Sequence, residues 1–332
     1  MIYPWQATQW QHITQLLNTE RLPHAMMLHG NQGLGKADFA IALANALLCQ
    51  TPLVNHQACG QCKACNLLNA KTHPDLYFLE PTASKTSKSK KPVRNIRIDD
   101  IRDLCEKLNQ TSQLGGYRVA ILNAAEKLTI SAANSLLKTL EEPGQNVLIL
   151  LVTSRTHSLP VTIRSRCQQI RFSVPEPQQS LLWLKGKQPK LTDNRLKQSL
   201  KYANGSPLEA ILLLEEVEHQ EVLVQAMTAC IEGNCPLEYA PQLVKFTKVR
   251  TLEWMMSWVS DVSRIQAYGT QAEITNTQYR DKLQVLANSV DKHRVYKFYD
   301  QLIFNLQHNS IAVNEQLLWE NLLLSWDDLG NR

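Results

Sequence analysis

The sequence has no long apolar segment, and this absence argues against a membrane-spanning helix. The longest uncharged apolar run covers residues 147–152, far short of the roughly 20 residues that a membrane-spanning helix needs. Residues 1–10 contain no apolar core of the kind found in secretory signal peptides. We therefore expect a cytoplasmic protein.

Strong charge of either sign is also missing. The 332 residues include 35 Lys and Arg against 30 Asp and Glu, which gives a net charge of +5. This mild basic excess permits contact with nucleic acid but does not indicate it by itself. The length is sufficient for two or three domains, each with a buried core.

Strand patterns are confined to the first half of the chain. Up to Phe172, short apolar runs alternate with helical patterns, which predicts a mostly parallel sheet covered on both faces. Residues 173–177 form a proline-containing linker, and only helical patterns follow. We predict an α/β domain over residues 1–173, a small helical domain over 174–217 and a larger helical domain over 218–332.

A glycine-rich turn between the first strand and a helix has the spacing of a phosphate-binding P-loop. Glycines let backbone N–H groups close on phosphate oxygens, and the lysine adds positive charge at the helix N-terminus. The candidate binding residues are Gly30, Gly33, Gly35 and Lys36.

This loop lacks the groups that ligate magnesium or activate water. The motif requires Ser or Thr after the lysine, but Ala37 follows here. Asn123 and Ala124 stand where the acidic pair of such a site is expected, and Glu126 comes two positions late. These losses together indicate that the chain does not hydrolyse ATP. Two interpretations of the loop remain open: nucleotide binding without turnover, and a turn kept only for packing.

Closely spaced cysteines predict a metal-binding module over about residues 49–75. Thiolates two residues apart on a turn can reach one Zn²⁺, and four of them close a tetrahedral structural site. The crowding favours a metal over disulfides in a chain without an export signal. The predicted ligands are Cys49, Cys59, Cys62 and Cys65. The first of these is the least secure, and His56 or His73 could replace it.

A basic segment spans residues 82–97 and holds six Lys or Arg and no acid. Serines and threonines are interleaved with the charges. We interpret it as a mobile surface loop, with contact to nucleic-acid phosphates as the alternative.

The stretch from Arg118 to Cys167 reads as the second half of a nucleotide-binding α/β domain. An apolar run at residues 119–122 is followed by a helical pattern at 131–142, a second apolar run at 147–152 and then an arginine on a loop.

At this point the sequence resembles a known family, the delta-prime subunits of bacterial DNA polymerase III clamp loaders, within the AAA+ superfamily. The resemblance covers most of the first 215 residues. It rests on residues 136–143 (Leu-Leu-Lys-Thr-Leu-Glu-Glu-Pro), residues 165–167 (Ser-Arg-Cys), the cysteine module and residues 204–207. It implies an AAA+ domain with an inserted zinc module, a helical lid domain and a C-terminal helical collar domain that holds the subunit in a ring.

The resemblance also implies a role for the Ser-Arg-Cys residues. In clamp loaders the arginine of this motif reaches into the ATP site of the neighbouring subunit, so Arg166 is expected to act as an arginine finger in trans. Ser165 would shape the turn, and Cys167 would pack beneath it. The alternative for Arg166 is a local ion pair or a contact at a helix end.

Further implications concern the nucleotide and the partners. Active members carry an arginine after a Gly-Ser pair in the second domain, whereas this chain has Pro207. We therefore expect a non-hydrolysing stator without ATPase activity of its own, inside a DNA-directed DNA polymerase holoenzyme, which is a nucleotidyltransferase. Its expected partners are the gamma/tau motor subunits and the delta subunit, with the sliding clamp and primer-template DNA reached through the complex. Two alternatives are an ATP-hydrolysing motor subunit and a zinc-containing DNA-binding protein.

Overall fold

The structure is a computed structural model that describes residues 2–83, 94–215, 217–232, 234–308 and 314–330. The basic segment predicted at residues 82–97 lies mostly outside the described residues. The chain forms two compact units: Met1–Leu182 with Ser206–Glu209, and Trp183–Gly205 with Ala210–Arg332. The division into three domains predicted from the sequence stays a prediction.

The first unit is built on a five-stranded parallel sheet and a small antiparallel pair. The strands are β1 (Ala25–His29), β2 (Leu76–Leu79), β3 (Thr82–Ala83), β4 (Arg94–Asn95), β5 (Arg118–Leu122), β6 (Val147–Thr153) and β7 (Gln168–Arg171). The sheet has the order β2-β5-β6-β1-β7, and β3 pairs with β4. All four pairings within the large sheet are parallel. The first strand therefore lies inside the sheet, between β6 and β7.

Helices cover both faces of this sheet. They are α1 (Ala7–Asn18), α2 (Lys36–Leu48), α3 (Lys63–Asn69), α4 (Ile98–Asn109), α5 (Ile130–Glu141), α6 (Val161–Arg164) and α7 (Pro177–Lys187), the last of which continues into the second unit. Side chains alternate between the faces along each strand. Met26 and Leu28 accordingly join one core with α1 and α2, and Met27 joins the other with α4 and α5.

The described residues of the second unit contain helices and connecting turns but no strand. Its helices are α8 (Asp193–Tyr202), α9 (Pro207–Glu215, which begins in the first unit), α10 (Val217–Ile231), α11 (Ala240–Leu243), α12 (Lys248–Tyr268), α13 (Arg280–Ser289), α14 (Lys292–Gln307) and α15 (Glu315–Gly330). Trp258, Trp319 and Trp326 are fully buried. The Trp326 indole Nε1 donates to the carbonyl of Met227 at 3.0 Å, which satisfies its polar atom inside the core. The predicted fold class, a parallel α/β domain followed by helices, is confirmed.

Among the described helices, none combines the length and the apolar character required to cross a membrane.

Candidate functional site

The glycine-rich loop follows β1 and opens α2 at the carboxyl edge of the sheet. Gly35 caps the helix with φ of 76°, a backbone conformation that glycine adopts without strain. Lys36 is buried, and its Nζ donates to the carbonyls of Gly30 (2.7 Å) and Asn31 (2.6 Å) and to the Ser154 hydroxyl (3.2 Å). Burial lowers the pKa of Lys36 to about 8, against an opposing effect of Glu126. The ammonium group is thus held by groups of its own chain.

The magnesium-binding groups are as sparse in the structure as in the sequence. Ala37 offers no hydroxyl, and the Asn123 amide donates to the Glu80 carboxylate at 2.9 Å. Glu126 lies close enough to affect the pKa of Lys36, and its buried Oε2 has no hydrogen-bond partner among the described residues. The sequence placed Glu126 two positions too late to serve the site, but the structure brings it close to Lys36. Glu126 lies in a short 3-10 turn (Ala125–Lys127) that follows β5.

The beginning of α9 packs directly on the loop. The backbone N–H of Leu208 donates to the carbonyl of Gly33 at 3.1 Å. A Cβ placed on Gly33 would lie 2.5 Å from the Cβ of Glu209 and 2.6 Å from its backbone nitrogen. Residues 207–209 therefore cover this part of the loop. They include Pro207, which stands where active members of the family carry an arginine.

Residues 3–6 close the loop from another side. Gln6 is buried, and its amide donates to the carbonyls of Leu34 and Gly35, both at 2.9 Å. The Trp5 indole donates to the carbonyl of Leu34 at 3.1 Å. A Cβ on Gly35 would lie 2.5 Å from ring atoms of Tyr3. Sequence reasoning missed these contacts, for which the only signal was the aromatic character of residues 3–10.

The four predicted cysteine ligands come together in the structure. The Sγ atoms of Cys49, Cys59, Cys62 and Cys65 all lie within 4.8 Å of one another. The 49–62, 59–65 and 49–65 sulfur pairs are 3.9, 3.8 and 3.6 Å apart. Zn–S bonds of about 2.3 Å at tetrahedral angles place sulfurs about 3.8 Å apart. The cluster could therefore hold one metal ion of this size.

Hydrogen bonds to sulfur prepare this cluster for a cation. Donation by the Thr51 hydroxyl and by the backbone of Gln61 and Cys62 lowers the pKa of Cys59 to about 5. Burial opposes ionisation of Cys62, but backbone N–H groups outweigh it and its pKa is lowered. Burial raises the pKa of Cys65 to about 12. Two thiolates are thus favoured by the protein itself, and a bound cation would favour ionisation of the others.

Neither histidine named as an alternative ligand belongs to the cluster. His56 Nε2 is 2.6 Å from the Asn18 side-chain oxygen. His73 is buried, and its Nδ1 accepts from the backbone N–H of Asp75 at 3.2 Å.

Arg166 lies in the turn between α6 and β7 and is half-buried. Its Nη1 donates to the carbonyl of Thr162 at 2.9 Å, and its Nη2 lies 2.5 Å from Glu141 Oε1. The Ser165 hydroxyl also donates to Thr162, at 3.2 Å, so both side chains complete the end of α6. Cys167 is buried in the core under this turn, where burial raises its pKa to about 12.

The sheet separates Arg166 from the glycine-rich loop of its own chain. In the parallel pairing of β1 and β7, Met26 is opposite Gln168 and His29 is opposite Arg171. Arg166 precedes β7 and is therefore at the amino edge, whereas the loop follows His29 at the carboxyl edge. Strands rise about 3.3 Å per residue, so the two sites are separated by the length of the strands.

Comparisons with known proteins agree over the whole chain. Residues 5–176 match the family model for "DNA polymerase III, delta subunit", and residues 198–328 match the model for "DNA polymerase III, delta subunit, C terminal". The delta-prime subunit of DNA polymerase III from Pseudomonas aeruginosa is 34% identical, over 99% of this chain and 98% of that protein. The Escherichia coli delta-prime subunit is 30% identical, over 97% of this chain and 94% of that protein.

Among solved structures, a DNA polymerase III gamma subunit-related protein from Thermotoga maritima aligns with 97% of this chain and 100% of its own, at 17% identity and a TM-score of 0.45. That likeness is too distant to support an argument. The chain belongs to the family of DNA polymerase III delta-prime subunits.

Proposed function

We propose that this chain is the delta-prime subunit of its clamp loader and serves there as a non-hydrolysing stator. In this role it presents Arg166 to the ATP bound by a neighbouring motor subunit. The observation that carries the proposal is the separation of Arg166 from its own glycine-rich loop by the sheet. An arginine in that position is too far from its own loop to contact a phosphate there, so the proposed target is a nucleotide held by another chain.

The chemistry of the turn suits this role. A guanidinium is permanently charged and can donate to two phosphate oxygens at once. Arg166 is held by one carbonyl and one half-exposed carboxylate, and exposed ion pairs of this kind contribute little to stability. The side chain can therefore leave these contacts at small cost and place its charge against a γ-phosphate.

The state of the glycine-rich loop supports the stator part of the proposal. Lys36 is occupied by carbonyls of the loop, Gly33 is covered by Glu209, and Ala37 cannot ligate magnesium. We propose that the loop serves packing and does not turn over ATP. The rival function, a motor subunit, predicts ATP hydrolysis by the isolated chain that Lys36→Ala abolishes.

The cysteine cluster is proposed to hold a structural Zn²⁺. Four sulfur ligands would fill a tetrahedral shell and leave no position for water, which is the pattern of structural and not catalytic zinc. The ion would join the end of α2 to α3 through Cys49 and the other three ligands.

The deciding experiment replaces Arg166 by alanine in the clamp loader reconstituted with the motor and delta subunits of the same bacterium. We expect normal assembly by gel filtration, because Arg166 contributes to no core. We also expect a fall of roughly 10³-fold or more in ATP turnover at the one site that this arginine faces. Sites elsewhere in the ring would continue to turn over.

Arg102→Ala is the matched control, because Arg102 is an exposed arginine on α4 with one ion pair to Asp99. It should leave turnover unchanged. Equal turnover in the Arg166→Ala and Arg102→Ala complexes would disprove the finger role. Arg166→Lys should restore only part of the rate, since lysine keeps the charge but lacks the two-pronged geometry.

A further inference from the structure

Glu141 is the contact that turns Arg166 back toward its own subunit. The carboxylate is the last residue of α5, and its Oε1 lies 2.5 Å from Arg166 Nη2. The other end of the guanidinium donates to Thr162, four residues earlier in the chain. Both groups are accessible to solvent, with side-chain exposures of 35% for Arg166 and 50% for Glu141. A guanidinium that donates to two phosphate oxygens through these same Nη groups gives up both contacts.

The position of this carboxylate is unfavourable by local rules. The C-terminus of a helix carries partial negative charge, which favours cations and disfavours carboxylates there. Glu141 and Glu142 nevertheless end α5, with Lys138 as the basic residue of its last turn. Arg166 offsets this charge from outside the helix. Glu141 thus breaks a local rule of helix stability, and its partner is the proposed finger. Such a departure is expected at functional positions, so the pairing of Glu141 with Arg166 points to a function.

We propose that Glu141 is a positioning residue that holds Arg166 in a retracted position until phosphate replaces the carboxylate. This inference rests on the proposed arginine-finger function. The guanidinium then exchanges one anion for another: it leaves Glu141 when the triphosphate of a neighbouring subunit offers more negative charge and two oxygens. The subunit thereby keeps its finger withdrawn when the neighbouring site is empty.

The strength of the contact sets the size of the expected effect. A half-exposed ion pair shifts an equilibrium by about two- to fivefold. That shift is small enough for a triphosphate to overcome and large enough to measure. Because the pair is accessible to solvent, added salt screens it.

Glu141→Gln in the reconstituted clamp loader tests the proposal, with ATP as the ligand. The amide keeps the shape of the side chain and removes the charge. At the site that Arg166 faces, we expect kcat/KM for ATP to rise about two- to fivefold at low salt. This gain should disappear at high salt, where the wild-type pair is already weakened. A role confined to helix stability would not produce a salt-dependent gain.

Glu142→Gln is the matched control, because Arg166 pairs with Glu141 and not with Glu142 among the described residues. It removes the same charge one position away and should leave kcat/KM unchanged. The effect of Glu141→Gln should also vanish when Arg166→Ala is present in the same chain.

These variants separate the two proposals. If Arg166→Ala slows turnover while Glu141→Gln leaves kcat/KM unchanged or lowers it, the retraction is refuted and the finger stands. If Arg166→Ala has no effect, the finger fails and the retraction fails with it.

Discussion

Replacing Gly33 by alanine tests whether the glycine-rich loop is closed by its own chain. The added Cβ would lie 2.5 Å from the Glu209 Cβ and 2.6 Å from the Glu209 backbone nitrogen. The backbone cannot move aside as easily as the end of a flexible side chain can. Gly33 also has φ of +74°, which costs an alanine about 1–2 kcal/mol. Overpacking against fixed neighbours adds about 1–3 kcal/mol.

Two other glycines calibrate this measurement. Gly115 has φ of +76°, and a Cβ added there would meet no atom of the described residues within 4 Å. Its alanine variant should therefore lose only the conformational part, about 1–2 kcal/mol. At Gly35 the nearest atoms belong to the Tyr3 ring, which can rotate away at moderate cost. We expect the loss of unfolding free energy to follow the order Gly33, Gly35, Gly115.

Urea denaturation of the three variants measures this order. The variants are compared at an equal slope of unfolding free energy against urea concentration, so that a change in the midpoint reports stability alone. A Gly33→Ala variant no less stable than Gly115→Ala would show that residues 206–209 do not cover the loop. Ala37 and Asn123 would then be the remaining features of the site that disfavour nucleotide turnover.

Two further predictions concern the metal site and the second unit. Purified chain should contain about one zinc per molecule by emission spectroscopy; Cys62→Ser should lose it, whereas Cys235→Ser, at an exposed thiol outside the cluster, should retain it. His219 is buried between Phe246 and Trp254, and burial lowers its pKa to about 4. As pH falls below about 6.5, His219 binds a proton in the unfolded chain before it does so in the folded chain. The contribution of neutral His219 to the free energy of unfolding should therefore be complete above that pH, and up to about 3 kcal/mol should be lost as pH falls toward 4. Urea midpoints at pH 7 and 4.5 should therefore differ less in His219→Phe than in the wild type; an equal difference would contradict the assigned burial.

The sequence was most informative where burial is complete. The runs at residues 119–122 and 147–152 lie within β5 and β6, every residue of which is buried, so a continuous apolar pattern marks them. Strand β7 was missed because Ile170 is its only buried residue, as suits a strand at the edge of the sheet. Cys59, Cys62 and Cys65 were predicted from their spacing, since thiolates on a short turn can converge only over a small range of separations. Cys49 was the least secure of the predicted ligands, because its position depends on the end of α2.

Contacts between distant parts of the chain could not be predicted in this way. Gly33 meets Glu209, and Gln6 meets Leu34, through tertiary packing that leaves no periodic signal in the sequence. The pairing of Glu141 with Arg166 joins the end of a helix to a turn after the next strand. The motif residues were recognisable, but the direction of their side chains depends on the folded backbone.

The glycine-rich loop shows why a surviving motif is weak evidence for its usual ligand. A Cβ on Gly33 or Gly35 would lie 2.5 Å from its nearest neighbour, and Lys36 donates to carbonyls of the loop. Packing therefore accounts for the two glycines whether or not a phosphate ever binds. The next position of the motif normally carries the hydroxyl that ligates magnesium. Packing does not need that hydroxyl, and Ala37 stands there instead. Because the steric part of the motif is present and the magnesium-binding part is absent, packing within the first unit accounts for the loop without a bound nucleotide. The chemistry that we propose for this chain lies at the opposite edge of the sheet, where Arg166 is.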